Sequence, residues 1–199
     1  MEELEFQDLA PEVDKQLKQR RIIVSVVCVL LVVILAVTTG LLLKKYVFAS
    51  FIVDGISMYP TLDGGSGENK DNQRTNGEVL YLDKLSKISR GDIVVFNTDK
   101  AHADTVSTLV KRVIAVGGDH LQIVSNVVYL NGAKLDEPYL NQSPTYLDID
   151  LYVPANHVFC MGDNRDFSLD SRVFGAVSLD DVIGKCFLIK GLDGKLRKP

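Results

Sequence analysis

The segment DGISMYPTL, residues 54–62, contains one serine, Ser57, whose hydroxyl could act as a nucleophile. A serine is a weak nucleophile until a neighbouring base takes its proton. The five residues GISMY lack the second glycine of the G-x-S-x-G turn, and a turn serine commonly bonds only to backbone or water. The segment alone therefore leaves both a surface role and a catalytic role open for Ser57.

Three histidines are the first candidates for that base: His102, His120 and His157. Each lies in a polar or turn-forming stretch, which favours an ordinary surface position. A lysine can serve instead, but only when it is buried, because desolvation lowers its pKa and leaves a neutral amine.

Lys111 has the context that such a lysine needs. It lies in the apolar run LVKRVIAV, where strand alternation puts it on the same face as Leu109 and Val113, with Arg112 on the other face. A lysine on an apolar face is costly unless it has a partner or a role. The alternative is an edge-strand lysine that prevents aggregation, and this segment by itself favours neither.

A third segment, GDNRDFSLDSR at residues 162–172, combines Ser168 with several possible ion pairs. An ordinary charged, turn-rich loop would have the same composition. A hydroxyl beside a neutral lysine could, however, accept or donate one hydrogen bond and so orient the amine without restoring its charge.

The part of the chain that carries these residues shows the patterns of short β-strands. Apolar or alternating runs occur at residues 79–82, 92–96, 109–116, 121–124, 127–130, 158–161 and 182–189. The dipeptide Asn131-Gly132 predicts a two-residue type I′ hairpin turn. Since no long amphipathic helical pattern interrupts the series, we expect an all-β, largely antiparallel domain. Residues 63–78 contain no large apolar side chain and predict a mobile surface loop.

Residues 22–43 form an uncharged, mostly apolar run of 22 positions. As a helix this run would span roughly 33 Å, against about 30 Å of bilayer hydrocarbon, so we expect a retained transmembrane helix. The alternative is a cleavable signal peptide, since Val47 and Ala49 resemble residues before a cleavage site, but its apolar region is about 7–15 residues long. The predicted organisation is an N-terminal segment 1–21, a span 22–43 and an outer domain 44–199.

Basic residues predict the orientation of this span. They are denser before it, at Lys15, Lys18, Arg20 and Arg21, than after it, at Lys44 and Lys45. This bias favours a cytoplasmic N-terminus and an extracytoplasmic outer domain.

The composition argues against a nucleic-acid binder. The 199 residues are 46% hydrophobic and carry a formal net charge of -4, whereas binding to phosphates needs a basic surface. Cys28 lies in the span, and Cys160 and Cys186 have neither C-x-x-C nor a zinc-type spacing. We expect two buried thiols rather than a disulfide.

Four segments occur in the order SMYPTL, RGDIVVF, KRVIAVGGD and GDNRDFSLDSR. Together they resemble the conserved boxes of bacterial type I signal peptidases, the membrane-anchored Ser/Lys endopeptidases that remove signal peptides from exported preproteins. The single span and the compact outer domain are most similar to the short enzymes of Gram-positive bacteria. The resemblance implies a mainly β fold of two antiparallel sheets after one N-terminal transmembrane helix.

The resemblance also implies roles for individual residues. It assigns Ser57 as nucleophile and Lys111 as general base. Ser168 matches the hydroxyl that orients the lysine, and Met58 is expected to pack beside the lysine and exclude water. Five positions match structural residues of the family: Asp163, Asn164, Arg165, Asp170 and Arg172.

Two features depart from the family. Where some members have a serine that contributes to the oxyanion hole, this chain has Gly55, so the Ser57 N–H is expected to carry most of that role. The loop 63–78 is longer than the usual link. The family implies no metal and no organic cofactor. Its implied partners are signal-peptide-bearing preproteins, the lipid bilayer and the protein-export machinery, at the cell membrane.

Two other classes of protein fit part of the pattern. A self-cleaving repressor-like protease shares the Ser/Lys dyad, but it would need a DNA-binding module, for which the 21 residues before the span are expected to be too short. A membrane-anchored, non-catalytic binding protein would need no dyad at all. Loss of activity in Ser57→Ala separates either enzyme from a binding protein, and cleavage in trans separates the peptidase from the repressor.

Overall fold

A computed structural model describes residues 2–65, 76–102, 105–140 and 148–199. The chain divides into two compact units, Met1–Tyr46 and Val47–Pro199. The first unit is a single helix, α1 (Glu2–Tyr46). Its portion Lys15–Tyr46 is long and apolar enough to cross a membrane by length and composition. Within it, the Thr38 hydroxyl donates to the Ile34 carbonyl at 2.9 Å, which satisfies the polar side chain without a partner outside the helix.

The second unit is built from strands. The described residues contain β1 (Phe48–Ile52), β2 (Val79–Asp83), β3 (Ile93–His102), β4 (Thr105–Val116), β5 (His120–Val124), β6 (Val127–Leu130), β7 (Ala133–Lys134), β8 (Ile149–Tyr152), β9 (His157–Met161), β10 (Val177–Ser178), β11 (Val182–Lys190) and β12 (Leu196–Arg197). A short helix, α2 (Ser171–Phe174), and two 3-10 turns, Arg165–Phe167 and Leu179–Asp181, complete the unit.

The strands form two antiparallel sheets. The main sheet has the order β1-β2-β11-β3-β4-β9-β10, with β12 paired to β11, and the small sheet has the order β7-β6-β5-β8. The strand pairs within both sheets are antiparallel. The expected fold class, mainly β with two antiparallel sheets, is confirmed.

All seven predicted runs are strands, but two of them are longer than expected. Strands β3 and β4 continue through polar residues and pair from Ile93 with Arg112 to His102 with Thr105, which makes one long hairpin. The extension was not predicted because its polar residues show neither an apolar run nor a clear alternation. The edge strands β1 and β8 and the two-residue strands were not predicted. The two-residue strands are too short to show a period.

The predicted turn at Asn131-Gly132 is confirmed. Asn131 has a φ of 53° and Gly132 a φ of 82°, and the flanking residues Leu130 and Ala133 pair across β6 and β7. A type I′ turn needs positive φ at both central positions, which asparagine and glycine adopt most readily.

Apolar side chains fill both faces of the main sheet. One cluster contains Met58 and Leu62 from the turn after β1, together with Val110 from β4. Met58 is 1% exposed and Leu62 is fully buried, and burial of each such side chain stabilises the fold by about 1.5–3 kcal/mol. Their burial fixes the turn that carries Ser57 against the sheet.

Only the ends of the predicted loop 63–78 lie in the described residues, since residues 66–75 lie outside them. The Glu78 N–H donates to the Asp63 carbonyl at 2.9 Å, and the Asp63 N–H donates to Glu78 Oε2 at 3.1 Å. Glu78 is buried and pairs with Arg197 at 2.7 Å. The prediction of a surface loop is therefore wrong for Glu78, whose carboxylate is paired and closes the base of the segment.

The cysteine prediction is confirmed. Cys160 and Cys186 are buried free thiols, and they lie in two different apolar clusters. Burial raises the pKa of Cys186 to about 11. Burial likewise raises the pKa of Cys160.

Candidate active site

The structure brings Ser57 and Lys111 together. Ser57 lies in the turn after β1, and Lys111 lies on β4. The Lys111 amine donates to Ser57 Oγ at 2.8 Å and to the Val110 carbonyl at 2.9 Å. Since a proton can pass between heavy atoms at this separation, a neutral Lys111 amine has the geometry to accept the Ser57 proton.

Lys111 is a buried lysine with a lowered pKa. Its side chain lies on the face predicted from strand alternation, opposite Val94 of β3, and the residue is 2% exposed. Desolvation lowers the pKa of Lys111 to about 8, against the opposing charges of Asp170, Cys160 and Asp163. At pH 7 about a tenth of the amine is then neutral, far more than for an ordinary lysine.

The Val110 carbonyl that accepts from Lys111 belongs to a residue whose side chain lies in the same buried cluster as Met58. Direct packing of Met58 on Lys111 stays a prediction.

The segment 162–172 closes over the Ser57 turn. The Asn164 N–H donates to the Ser57 carbonyl at 3.0 Å, and the Asn164 side-chain amide donates to the Ile56 carbonyl, also at 3.0 Å. These two bonds join two segments that are distant in sequence. They fix the backbone on which Ser57 is carried.

Ser168 lies beside the same turn. A Cβ atom on Gly162 would overlap both Ser168 Oγ and the Ser57 carbonyl, so this position needs glycine. The Ser168 hydroxyl is buried and has no hydrogen-bond partner among the described residues. The hydrogen bond expected from Ser168 to Lys111 is thus not formed in this structure, and its orienting role stays a prediction.

Asp170 and Arg172 form the ion pair within the segment. Arg172 Nε donates to Asp170 Oδ1 at 2.8 Å and Nη2 donates to Oδ2 at 2.9 Å. Asp170 also accepts from the Gly162 N–H at 3.0 Å and caps α2. The pair therefore bonds to the backbone of the segment, and its structural role stays a prediction.

Asp163 and Arg165 bind partners that the sequence did not reveal. Arg112 points away from Lys111, as predicted. Its Nε donates to Asp163 Oδ1 at 2.9 Å, and its Nη2 donates to Asp163 Oδ2 at 2.7 Å. Arg165 pairs with Glu137 at 2.5 Å. Both contacts cross between strands or loops that are far apart in the chain. No local pattern of the sequence indicated these pairs, although the buried carboxylate of Asp163 needs a cation once its burial is known.

Gly55, two residues before Ser57, has a φ of 82°. Residues other than glycine rarely adopt this φ. A Cβ atom added to Gly64 would also overlap the Gly55 carbonyl oxygen. The turn thus uses glycine for its backbone shape, at the position where some family members have a serine donor.

The described histidine side chains bind elsewhere. His120 contacts Asp150 at 2.6 Å and stacks on Tyr152, and His157 Nδ1 contacts the Ala155 carbonyl at 2.8 Å. The side chain of His102 lies outside the described part of the structure. Within the described residues, no group of three His, Cys, Asp or Glu side chains is placed to hold a metal ion.

Comparison with known proteins identifies a family. Residues 22–190 match the family described as "Signal peptidase, peptidase S26". The chain is 38% identical over 151 residues to signal peptidase I S of Bacillus subtilis, covering 70% of this chain and 74% of the relative. It is 36% identical over 161 residues to signal peptidase I of Bacillus caldolyticus, covering 72% and 79%. It is 31% identical over 159 residues to signal peptidase IB of Staphylococcus aureus N315, covering 71% and 76%.

A solved structure is also similar. It is a signal peptidase I from Enterococcus faecalis V583, which is 29% identical, with a TM-score of 0.44 over 51% of this chain and 97% of that chain.

Proposed function

The chain belongs to the signal peptidase family of peptidases, S26, and on that premise we propose that it is a type I signal peptidase that works through a Ser57–Lys111 dyad. The observation that carries the proposal is the 2.8 Å contact between Lys111 Nζ and Ser57 Oγ, with the amine buried. A buried amine with a pKa of about 8 can accept a serine proton without a histidine.

The reaction is acyl transfer. Ser57 Oγ attacks the scissile carbonyl carbon as its proton moves to Lys111 Nζ, and the protonated amine then delivers that proton to the leaving amine. The products of this half are the released protein with a new N-terminus and an ester between Ser57 and the signal peptide. Water then attacks the ester, gives a proton to Lys111 and releases the signal peptide, while Ser57 Oγ regains a proton.

The oxyanion that forms during each attack needs hydrogen-bond donors. Gly55 offers no side-chain donor, and its positive φ disfavours a replacement that would. We assign the main donor role to the Ser57 N–H, whose turn is fixed by Asn164. Asp163, Arg165, Asp170 and Arg172 keep their assignment as structural residues, and Ser168 as the hydroxyl that orients Lys111.

The substrates in this proposal are exported preproteins that carry signal peptides. Helix α1 anchors the enzyme in the cell membrane with a cytoplasmic N-terminus and an extracytoplasmic catalytic domain, as the basic residues before residue 22 favour. Ser57 follows residue 43 by 14 positions. The nucleophile is thus kept close to the bilayer, where a preprotein held by its own apolar segment and delivered by the export machinery presents its cleavage site.

The test uses the purified full-length protein in detergent with a preprotein substrate, followed by sequencing of the new N-terminus. We expect one cut after the signal peptide, in trans, and none by Ser57→Ala. Cleavage only within the same chain would favour the self-cleaving alternative. Binding of the preprotein without any cleavage would favour the non-catalytic alternative.

A further inference from the structure

Tyr139 lies against two arginine side chains that belong to different parts of the site. Its ring centroid is 4.2 Å from the guanidinium carbon of Arg112 and 5.9 Å from that of Arg165. A guanidinium within about 6 Å of a ring centroid is attracted by the ring quadrupole. Arg112 follows Lys111 on β4, and Arg165 follows Asn164, which bonds to the Ser57 turn. The ring of Tyr139 therefore contacts two arginines that are each next in the chain to a residue of the site.

The hydroxyl of Tyr139 makes a hydrogen bond of its own. It donates to Glu137 Oε1 at 2.9 Å, and the same oxygen accepts from Arg165 Nη2 at 2.5 Å. Burial raises the pKa of Tyr139, so the phenol keeps its proton and remains a donor. The side chains of Arg165 and Glu137 are 1% and 11% exposed. The hydrogen-bonded group of Glu137, Tyr139 and Arg165 is therefore largely shielded from water.

Both arginines reach the Ser57 turn through one further contact. Arg112 binds both carboxylate oxygens of Asp163, at 2.9 and 2.7 Å. Arg165 Nε donates to the Gly162 carbonyl at 2.9 Å. Gly162 and Asp163 immediately precede Asn164, whose N–H donates to the Ser57 carbonyl. The segment 162–164, which bonds to the Ser57 carbonyl, is therefore bound by both arginines.

We propose that Tyr139 is a positioning residue for the Ser57–Lys111 reaction, an inference that rests on the proposed function. Its ring fixes the two guanidinium groups, these fix the turn 162–164, and the turn fixes the backbone of Ser57. Tyr139 and its partner Glu137 both follow β7 of the small sheet. The small sheet would therefore help to align the dyad. Because Tyr139 acts through other residues, its loss should misalign the dyad without changing substrate binding.

The test compares Tyr139→Leu with Tyr139→Phe in the full-length protein on the same preprotein. Tyr139→Leu removes the ring face and should lower kcat about ten-fold, since a misplacement of a fraction of an ångström is sufficient for such a loss, while KM stays within about two-fold. Tyr139→Phe keeps the ring over both guanidinium groups and should retain most of the wild-type kcat. A role in stability alone would not lower kcat in the folded protein while KM stays unchanged, and the Tyr139→Phe variant separates the ring from the hydroxyl.

Tyr152→Leu is the matched control. Tyr152 is an exposed tyrosine of the small sheet that stacks on His120 at 4.4 Å between ring centroids. Its contact with His120 lies outside the network of Arg112 and Arg165. We expect Tyr152→Leu to leave kcat unchanged.

A second readout does not depend on turnover. The Asn164 N–H is the donor to Ser57, so its hydrogen exchange reports directly on the turn 162–164. Tyr139→Leu should speed that exchange about ten-fold, whereas Tyr152→Leu should not. If the wild-type protein cleaves no preprotein, the proposed function fails, and the exchange measurement still decides whether Tyr139 holds the turn.

Three results would overturn the positioning role. The first is a folded Tyr139→Leu protein with wild-type kcat and wild-type exchange at Asn164. The second is an equal loss in Tyr139→Phe, which would assign the effect to the hydroxyl. If Tyr139→Leu does not fold, Tyr139→Met replaces it, because its longer, flexible side chain fills more of the space and still removes the ring face; unchanged kcat and exchange in that variant are the third.

Discussion

The side-chain amide of Asn164 donates to the Ile56 carbonyl at 3.0 Å, across 108 residues of sequence. This bond lies one residue before Ser57 in the chain, and the backbone N–H of the same asparagine holds the Ser57 carbonyl. The turn that carries the nucleophile is therefore supported by hydrogen bonds from outside it. Its geometry depends on a segment folded from a distant part of the chain.

Asn164→Ala removes the bond to Ile56 and leaves the backbone bond to Ser57. We expect kcat to fall about ten-fold, because the turn that carries Ser57 loses one of the two hydrogen bonds that Asn164 makes to it. Asn164 Oδ1 has no hydrogen-bond partner among the described residues, so the substitution also removes an unsatisfied buried acceptor and the melting temperature should change little. Gln122→Ala, which removes an amide that donates to Asp150 on the small sheet, serves as the control. A wild-type kcat in Asn164→Ala would contradict this role.

The dyad predicts non-additive effects. Ser57→Ala and Lys111→Ala should each lower kcat by on the order of 10³-fold or more, and the double variant should be no worse than either single one, because the two residues act as a unit. Steady-state kinetics of the three variants measure this, with Lys134→Ala, a change at an exposed lysine of β7, as the control. Substantial turnover by Lys111→Ala would exclude the dyad and return attention to the histidines.

The pH dependence of the rate follows from the buried lysine. Lys111 acts as a base only when it is neutral, so kcat/KM should be low below its pKa of about 8 and should rise to a plateau above it. An exposed lysine would give the same rise only near pH 10. Initial rates between pH 6 and pH 11 distinguish the two. Ser168→Ala should lower the plateau if that hydroxyl orients the amine, and an unchanged plateau would remove Ser168 from the mechanism.

The same pKa predicts a pH-dependent stability, which is independent of activity. The folded-state pKa of Lys111 is about 8 against an ordinary 10.5, so between these values the unfolded chain binds more protons, and stability rises with pH. Each tenfold change in proton affinity corresponds to about 1.36 kcal/mol, which gives a total near 3 kcal/mol. Lys111→Met carries no such charge. Its free energy of unfolding should exceed that of the wild type by the largest margin below pH 8, and the margin should shrink as pH approaches 10.5.

Denaturant unfolding of both proteins across this range measures the margin. A margin that is constant with pH would show that the amine is not desolvated in the folded protein. This result would count against burial of Lys111 whatever the enzyme assay gives.

The local patterns of the sequence predicted one half of the site better than the other. Strand alternation placed Lys111 on the buried face and Arg112 on the other, because the period of a strand is a local property. Ser57 could be recognised only from the order of four segments. The partners of Asp163 and Arg165, which are Arg112 and Glu137, depend on how distant strands meet, and no local pattern records that. Tyr139 was missed for the same reason.

The predicted loop 63–78 shows how composition can mislead. Glu78 follows a polar stretch and was grouped with it, yet its carboxylate pairs with Arg197 from β12. A charged side chain can be buried when its partner arrives from elsewhere in the fold, and here the two residues are 119 positions apart. Composition therefore located the polar segment, but it did not show that Glu78, at the end of that segment, is buried and paired.

The last prediction concerns the apolar part of α1. If this helix anchors the catalytic domain beside the lipid headgroups, a protein lacking residues 1–43 should keep the dyad and lose its tether. Anchoring raises the effective concentration of a membrane-held preprotein at the site, so truncation should slow cleavage of that substrate by about 10²-fold and leave cleavage of a short soluble peptide nearly unchanged. Full-length and truncated proteins are compared on both substrates, with liposomes that hold the preprotein.

The orientation of the helix is tested in intact cells by protease accessibility of the outer domain. Because Lys15, Lys18, Arg20 and Arg21 precede the apolar run, the domain should be digested by protease added outside once the cell wall is removed. Equal losses on both substrates after truncation would contradict the role of anchoring. A domain that stays protected until the membrane is broken would put Ser57 on the cytoplasmic side, where a preprotein emerging from the export machinery could not reach it.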